Sequence, residues 1–226
     1  SDIKIGVILP LSGVSSLSAG SHRNGLELAL KHVNSQGGIN GRRLRLEIRD
    51  SCGSPDIAAE QARNLIYETG VVSLIGGFSP AETRVIQYLA ENAQVPFLTA
   101  LCTHHEITEN GSMFTFRSIT DDTSQFEALA EFSARKFGSR KPAVIYDSVL
   151  YGADSAQKFI EIAIKFGQQA CAAVSYQPGT LNFRRQLQVI LASNPDSLVI
   201  LTPAETAAII TRQAREVRFS HPIIGG

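Results

Sequence analysis

The chain of 226 residues is 43% hydrophobic and 19% charged, with 21 basic and 21 acidic side chains. Such a composition suits a soluble globular protein of one large or two ordinary domains, and zero net charge without a basic cluster argues against nucleic acid as a partner. No apolar run approaches the roughly 18 residues of a membrane helix. Ser1-Asp2-Ile3-Lys4 leads straight into a strand pattern, as in a secreted protein whose signal peptide has been removed and equally in a cytosolic one. Cys52, Cys102 and Cys171 have no CxxC spacing and no metal-ligand company; an odd count leaves at least one thiol unpaired, with one disulfide or none both open.

Ile3 to Leu9 reads as a short apolar strand, and Pro10 to Gly20 as a loop of small residues. From Gly25, Leu26, Ala29, Leu30 and Val33 recur at helical spacing until Gly37-Gly38 stops the helix. Leu44 to Ile48 alternates strictly, as a strand with one wetter face at a sheet edge does. Ser54-Pro55 opens a helix with Ala58, Ala62, Leu65 and Ile66 on one side. Val71 to Ile75 is a buried strand, followed by a helix to about Ala93, a strand at Val95 to Leu98, an irregular segment at Ala100 to Gly111 and a strand at Met113 to Arg117.

At Ser118 to Thr123 the organisation restarts. Asp122 suits a helix cap with Gln125 at its third position, and Phe126, Leu129, Ala130 and Phe137 form the apolar stripe. Strands at Ala143–Tyr146, Ala170–Tyr176, Leu198–Leu201 and Pro222–Ile224 then alternate with helices at Ser155–Phe166, Asn182–Leu191 and Ala207–Val217. Strands alternating with single helices predict an α/β protein of two doubly wound parallel-sheet lobes, 1–119 and 120–226, joined by a hinge across a cleft. In such sheets ligands bind beyond the carboxyl ends of the strands, so the loops to watch are Leu11–Gly20, Asp50–Ser54, Gly76–Ser79 and Thr99–His105.

The most informative stretch is Leu74-Ile75-Gly76-Gly77-Phe78-Ser79-Pro80-Ala81-Glu82-Thr83. Ser79 stands where an N-cap belongs, Pro80 at the first helical position and Glu82 three after the serine, which is a capping box. Gly76 and Gly77 allow a tight turn and close approach of a ligand to the backbone. Glycines opening a capped helix offer N–H groups, a hydroxyl and the positive end of a helix dipole to a small anion such as a carboxylate. The same residues also suit an ordinary strand–helix junction. The pattern recurs at Leu201-Thr202-Pro203-Ala204-Glu205-Thr206, with Thr202 as the matching cap, as two similar lobes would show.

Ile5-Gly6, Pro10-Leu11-Ser12-Gly13, Ala29, Asn34 and Gly37 to Gly41 are similar to the opening of the type I periplasmic binding proteins, nearest the leucine/isoleucine/valine-binding proteins of ABC transporters. Asp50 with Cys52, Phe116-Arg117, Asp122 to Gln125, Tyr151-Gly152, Asn182-Phe183, Pro195-Asp196 and Arg212 to Arg215 extend the resemblance over essentially the whole chain. It implies an extracytoplasmic solute-binding protein, periplasmic or at the cell surface. Such a protein captures a small carboxylate-bearing ligand, an amino acid or analogue, by hinge closure and delivers it to a membrane permease. Carried over residue by residue, Ser79 binds the carboxylate, and Leu101 and Thr103 bind the polar ends. Phe78 and Ala100 stand beside them, and Tyr151 covers the ligand from the second lobe. Ser18-Ala19 stand where the family often has an aromatic residue, and no cysteine stands near Gly77-Phe78 to meet Cys52, which leaves Cys102 as a substitute. The family's acidic ammonium partner and returning strands lie beyond Ile223-Ile224-Gly225-Gly226, so the C-terminal part of the fold is expected to be absent from this sequence.

Other chemistries find little support. His104-His105-Glu106 lacks a third metal ligand at a known spacing, and His104 or His105 is expected on the cleft rim, tuning ligand choice. There is no GxGxxG, Walker or GxSxG motif, so no cofactor and no enzymatic activity are expected. Asp147, Ser148 and Tyr151 match no catalytic arrangement. Asp50 and Asp122 are an acid/base candidate, but a cap explains Asp122 better. The alternative function is the ligand-sensing extracellular domain of a receptor or regulator with the same fold.

Overall fold

The structure is a computed structural model that describes residues 2–13, 15–149 and 152–225. It divides into two compact units, Ser1–Ile119 and Thr120–Gly226. In the first, strands β1 (Ile3–Leu9), β2 (Leu44–Asp50), β3 (Ser73–Gly76), β4 (Phe97–Thr99) and β5 (Thr115–Arg117) form a five-stranded sheet in the order β2-β1-β3-β4-β5. Every pairing is parallel. The alternating strand is β2, and it does lie at the edge. Helices α1 (Ser16–Ser35), α2 (Pro55–Arg63, continued by a π-helical segment at Asn64–Thr69), α3 (Pro80–Ala93) and the single turn α4 (Glu106–Glu109) connect the strands.

The pleat decides which side chain meets which helix. Ile8, Leu74 and Phe97 point to the face covered by α2 and α3, where Ala58, Ala62, Leu65, Ile86 and Ala90 bury them. Val7, Leu9 and the partly buried Ile75 point the other way, with Ala19 and Leu26 of α1. That second face is more open, for Ala19 is the one buried residue recorded on α1 and Phe116 in β5 is 55% exposed.

The second unit repeats the plan. Strands β6 (Pro142–Asp147), β7 (Ala172–Tyr176), β8 (Ser197–Leu201) and β9 (Ile223–Gly225) pair in parallel in the order β7-β6-β8-β9. Helices α5 (Asp122–Phe137) and α6 (Gly152–Lys165) pack on Val144, Val199 and Leu201. Helices α7 (Arg184–Ala192) and α8 (Ala204–Glu216) pack on Ala143, Ile145, Leu198 and Ile200. All five residues of β8 are buried, as a central parallel strand covered on both faces requires.

Three local expectations are corrected. Helix α1 begins at Ser16 rather than Gly25, so part of the predicted loop is helical; Ser15 stands at its N-cap without a side-chain cap bond, which left no local start signal. The cap of α5 is Asp121, whose Oδ1 accepts the Ser124 N–H at 2.8 Å, while Asp122 is buried and accepts from Ser155 Oγ at 3.3 Å. Thr202 caps nothing: Pro203 is the N-cap of α8 without a side-chain bond, and the Thr202 hydroxyl meets the Tyr176 hydroxyl instead. The three cysteines are free.

Asp196, at the entry to β8, fastens that strand to β6. Its carboxylate accepts the N–H groups of Arg140 at 2.5 Å and Lys141 at 2.8 Å, and the hydroxyls of Ser139 at 2.8 Å and Ser197 at 3.2 Å. Burial pushes this carboxyl's pKa up, but the backbone and hydroxyl bonds together outweigh it and hold the pKa below the ordinary value. A lowered folded pKa adds stability above the unfolded aspartate pKa of about 3.9, and that stability is lost as pH falls below it. Asp196→Asn should therefore lower the urea midpoint by an amount equivalent to about 1–2 kcal/mol at pH 7, and the gap to the parent should shrink as pH falls below about 4. A constant gap would mean that Asp196 acts by packing alone.

Candidate functional site

The carboxyl ends of β1, β2, β3 and β4 carry the loops that sequence singles out, and two carboxylates hold them. Asp50, the last residue of β2, reaches across to the chain after β1. Its Oδ1 accepts the N–H groups of Leu11 at 2.8 Å and Ser12 at 3.3 Å, and that of Cys52 at 2.8 Å. Burial raises the pKa of Asp50, but these bonds and the Ser12 hydroxyl together bring it below the ordinary value. The carboxylate thus keeps its charge and its grip at neutral pH.

The second carboxylate is Glu82, in the first turn of α3. The capping box expected from the sequence is present: the Glu82 N–H donates to Ser79 Oγ at 3.2 Å, and the Ser79 N–H donates to Glu82 Oε2 at 3.1 Å. The Ser79 hydroxyl also donates to Oε2 at 3.0 Å. The other oxygen, Oε1, accepts from Ser51 Oγ at 2.5 Å, which joins the loop after β3 to the loop after β2. Ser51, Ser79 and Glu82 are all buried, and among the described residues no cation pairs with Glu82.

The glycines before this helix are required by the protein's own packing. Gly76 and Gly77 have φ of 142° and 72°. A Cβ on Gly76 would collide with the Ile8 carbonyl, and one on Gly77 would strike Thr83 Oγ1. The close packing of β3 on β1 therefore sets the angle at which α3 leaves the sheet.

The loop after β4 is fastened from beneath. The Cys102 N–H donates to Thr99 Oγ1 at 3.3 Å. From the end of β5, the Arg117 guanidinium donates to the carbonyls of Thr103 at 3.3 Å and His104 at 2.8 Å and to Thr108 Oγ1 at 2.7 Å. His104 is buried, with the ring of His105 stacked on it at 4.8 Å, so of this pair the half-buried His105 is the one that reaches the surface. Among the described residues no group of three or more His, Cys, Asp or Glu side chains is arranged to hold a metal ion.

Between α1 and this strand-end edge lies a cavity of about 340 Å³, lined by Leu9, Leu26, Ile75, Gly76, Ala100 and Leu101, with Ser21, His22 and Gly25 completing the wall. Of the residues expected to bind a ligand, Ala100 and Leu101 share this wall, whereas Phe78, Ser79 and Thr103 do not line it. Ser79 lies just beyond its lining residue Gly76, buried in the capping box. Tyr151 lies outside the described residues. Arg117 and the Ser51–Glu82 bond were not singled out as site features by sequence, because their partners are distant along the chain; the resemblance at Phe116-Arg117 was the one available signal.

Residues 2–223 match the periplasmic binding protein family. The chain is 26% identical over 226 residues to the Leu/Ile/Val-binding protein BraC3 of Rhizobium johnstonii, an alignment covering 100% of this chain and 61% of the relative. The crystal structure of the leucine binding protein LivK from Thermotoga maritima superposes with a TM-score of 0.90 at 28% identity, covering 99% of this chain and 63% of that one. LivJ from Streptococcus pneumoniae, solved in complex with isoleucine, shares the fold with a TM-score of 0.89 at 24% identity, covering 100% of this chain and 64% of that one. The chain thus spans about 61% of the length of the curated relative. The parallel α/β architecture and the match over residues 2–223 lead to one assignment: this chain belongs to the periplasmic binding protein family.

Proposed function

We propose that the full protein is an extracytoplasmic solute-binding component of an ABC transporter. It captures a small carboxylate-bearing solute, an amino acid with an aliphatic side chain or a close analogue, and passes it to a membrane permease from the periplasm or cell surface. Residues 1–119 and 120–226 serve as its N- and C-terminal lobes, and the solute draws them together. Closure is favoured by as much as the solute's affinity for the closed state exceeds that for the open one. Ser79 takes the solute carboxylate at the N-terminus of α3, flanked by Phe78. Ala100, Leu101 and Thr103 hold the solute from the loop after β4, and Tyr151 covers it from the second lobe.

The observation that carries this reading is a pairing on one sheet edge. The N-terminus of α3 already holds a carboxylate, that of Glu82, and an apolar cavity walled by Leu9, Leu26, Ile75 and Leu101 opens beside Gly76 at the foot of the same loop. Apolar room next to a carboxylate-holding helix terminus suits an aliphatic amino acid. The names of the relatives, which specify leucine, isoleucine and valine, agree with that class.

A thermal-shift screen of the full-length protein against aliphatic amino acids, aromatic acids and their amides tests the reading. A solute at 100 times its Kd should add about 2.7 kcal/mol of stability. Carboxylate-bearing hits are expected, and a panel with no hit among them would contradict the reading. Ser79→Ala should weaken binding of the best hit by about 1–3 kcal/mol, because a hydrogen bond to a desolvated carboxylate is lost; unchanged affinity would remove Ser79 from the site. Arg117→Met should weaken binding by about 1 kcal/mol and speed amide exchange at Thr103–Thr108, since it releases that loop without touching the solute. Unaltered exchange there would show that the loop holds its shape without the guanidinium.

A further inference from the structure

Glu82 has a role that its capping function does not exhaust. The residue is 2% exposed, and its carboxylate takes three donors at once: the Ser79 N–H, the Ser79 hydroxyl and the Ser51 hydroxyl. The second of these, the Ser79 hydroxyl, belongs to the side chain assigned above to the solute. Pro80 has no N–H, and the Glu82 and Thr83 N–H groups are committed to Ser79 Oγ and to the Ser79 carbonyl. The exposed Ala81 therefore supplies the first-turn N–H that neither capping side chain takes. The α3 terminus thus holds an anion of its own, and among the described residues no lysine, arginine or histidine neutralises it.

We propose that Glu82 is a specificity-determining residue, an internal carboxylate that competes with the solute's carboxylate for the Ser79 donors and sets how tightly, and in favour of which charge, the site binds. The proposal rests on the reading that Ser79 meets the solute. When a solute carboxylate arrives, the Ser79 hydroxyl rotates from Glu82 towards it, and Glu82 is left on Ser51 and the Ser79 N–H. Two like charges then stand within one helical turn of each other in a partly desolvated place, where repulsion weakens binding of an anionic group. A neutral carboxamide in the same position feels no such repulsion. Ser51 matters because its hydroxyl holds Oε1 towards the β2 loop and so limits the demand that Glu82 makes on Ser79.

The discriminating variant is Glu82→Gln, since glutamine at this position also completes a capping box and preserves the helix start. Isothermal titration of the full-length parent and E82Q with L-leucine and L-leucinamide reads the effect directly. E82Q should bind L-leucine about tenfold more tightly, the order expected for losing one nearby like charge, while leucinamide affinity stays within about twofold. Equal leucine affinity in parent and variant, or weaker binding by E82Q, overturns the role of Glu82 and leaves the solute-binding reading standing. Absence of L-leucine binding to both proteins overturns the reading for this solute and the proposal with it. Should E82Q fail to fold, Ser51→Ala keeps the charge but removes one donor that restrains it, and leucine binding should then weaken several-fold while leucinamide binding does not. Equal changes for both probes would overturn the proposal.

Discussion

The strand-end edge of the first unit depends on two side-chain carboxylates that hold three loops together. Asp50 ties the loop after β1 to the loop after β2 through the N–H groups of Leu11, Ser12 and Cys52. Glu82 ties the loop after β2 to the loop after β3 through Ser51 and Ser79. A parallel sheet aligns its strand ends but leaves their connecting loops without ladder partners. Carboxylates are suited to that gap, because each oxygen accepts more than one hydrogen bond and bonds to a charged acceptor are stronger than neutral ones.

Packing beneath the loops fixes where those carboxylates stand. Gly76 brings β3 so close to β1 that the Ile8 carbonyl leaves no room for a side chain, and a Cβ on Gly77 would strike Thr83. The start of α3, and with it Ser79 and Glu82, is therefore set by backbone contacts. Arg117 gives the loop after β4 a comparable anchor from β5. The cavity beside them is left mainly to apolar walls, so polar clamps and apolar space are divided between neighbouring elements.

Sequence carried the fold and the α3 junction well because both are written locally. Strand–helix alternation over the whole chain, β2 as an edge strand and the capping box of Ser79 with Glu82 can all be read from short stretches. It failed where the deciding partner lies elsewhere. Leu201-Thr202-Pro203-Ala204-Glu205-Thr206 resembles the α3 start, yet Tyr176 meets the Thr202 hydroxyl and no cap forms. Helix α1 starts at Ser16 without a side-chain cap, so nothing local marked it. Asp121 took the cap expected of Asp122, a shift of one position that turned Asp122 inward towards Ser155. The reach of Glu82 to Ser51 and of Asp50 to Leu11 crosses between loops, which no periodicity reveals.

The central claim is that Asp50 and Glu82 hold these loops in fixed positions, and backbone amide hydrogen exchange measured by NMR addresses it most directly. The amides of Leu11, Cys52, Ser79 and Glu82 should exchange far more slowly than those of the exposed Gly111 and Gly179, although all lie in loops or at a helix start. In Asp50→Asn, protection at Leu11 and Cys52 should fall together while that at Ser79 persists. Exchange at all four amides as fast as at Gly111, with no solute present, would contradict a prelocked edge and make loop ordering a consequence of binding.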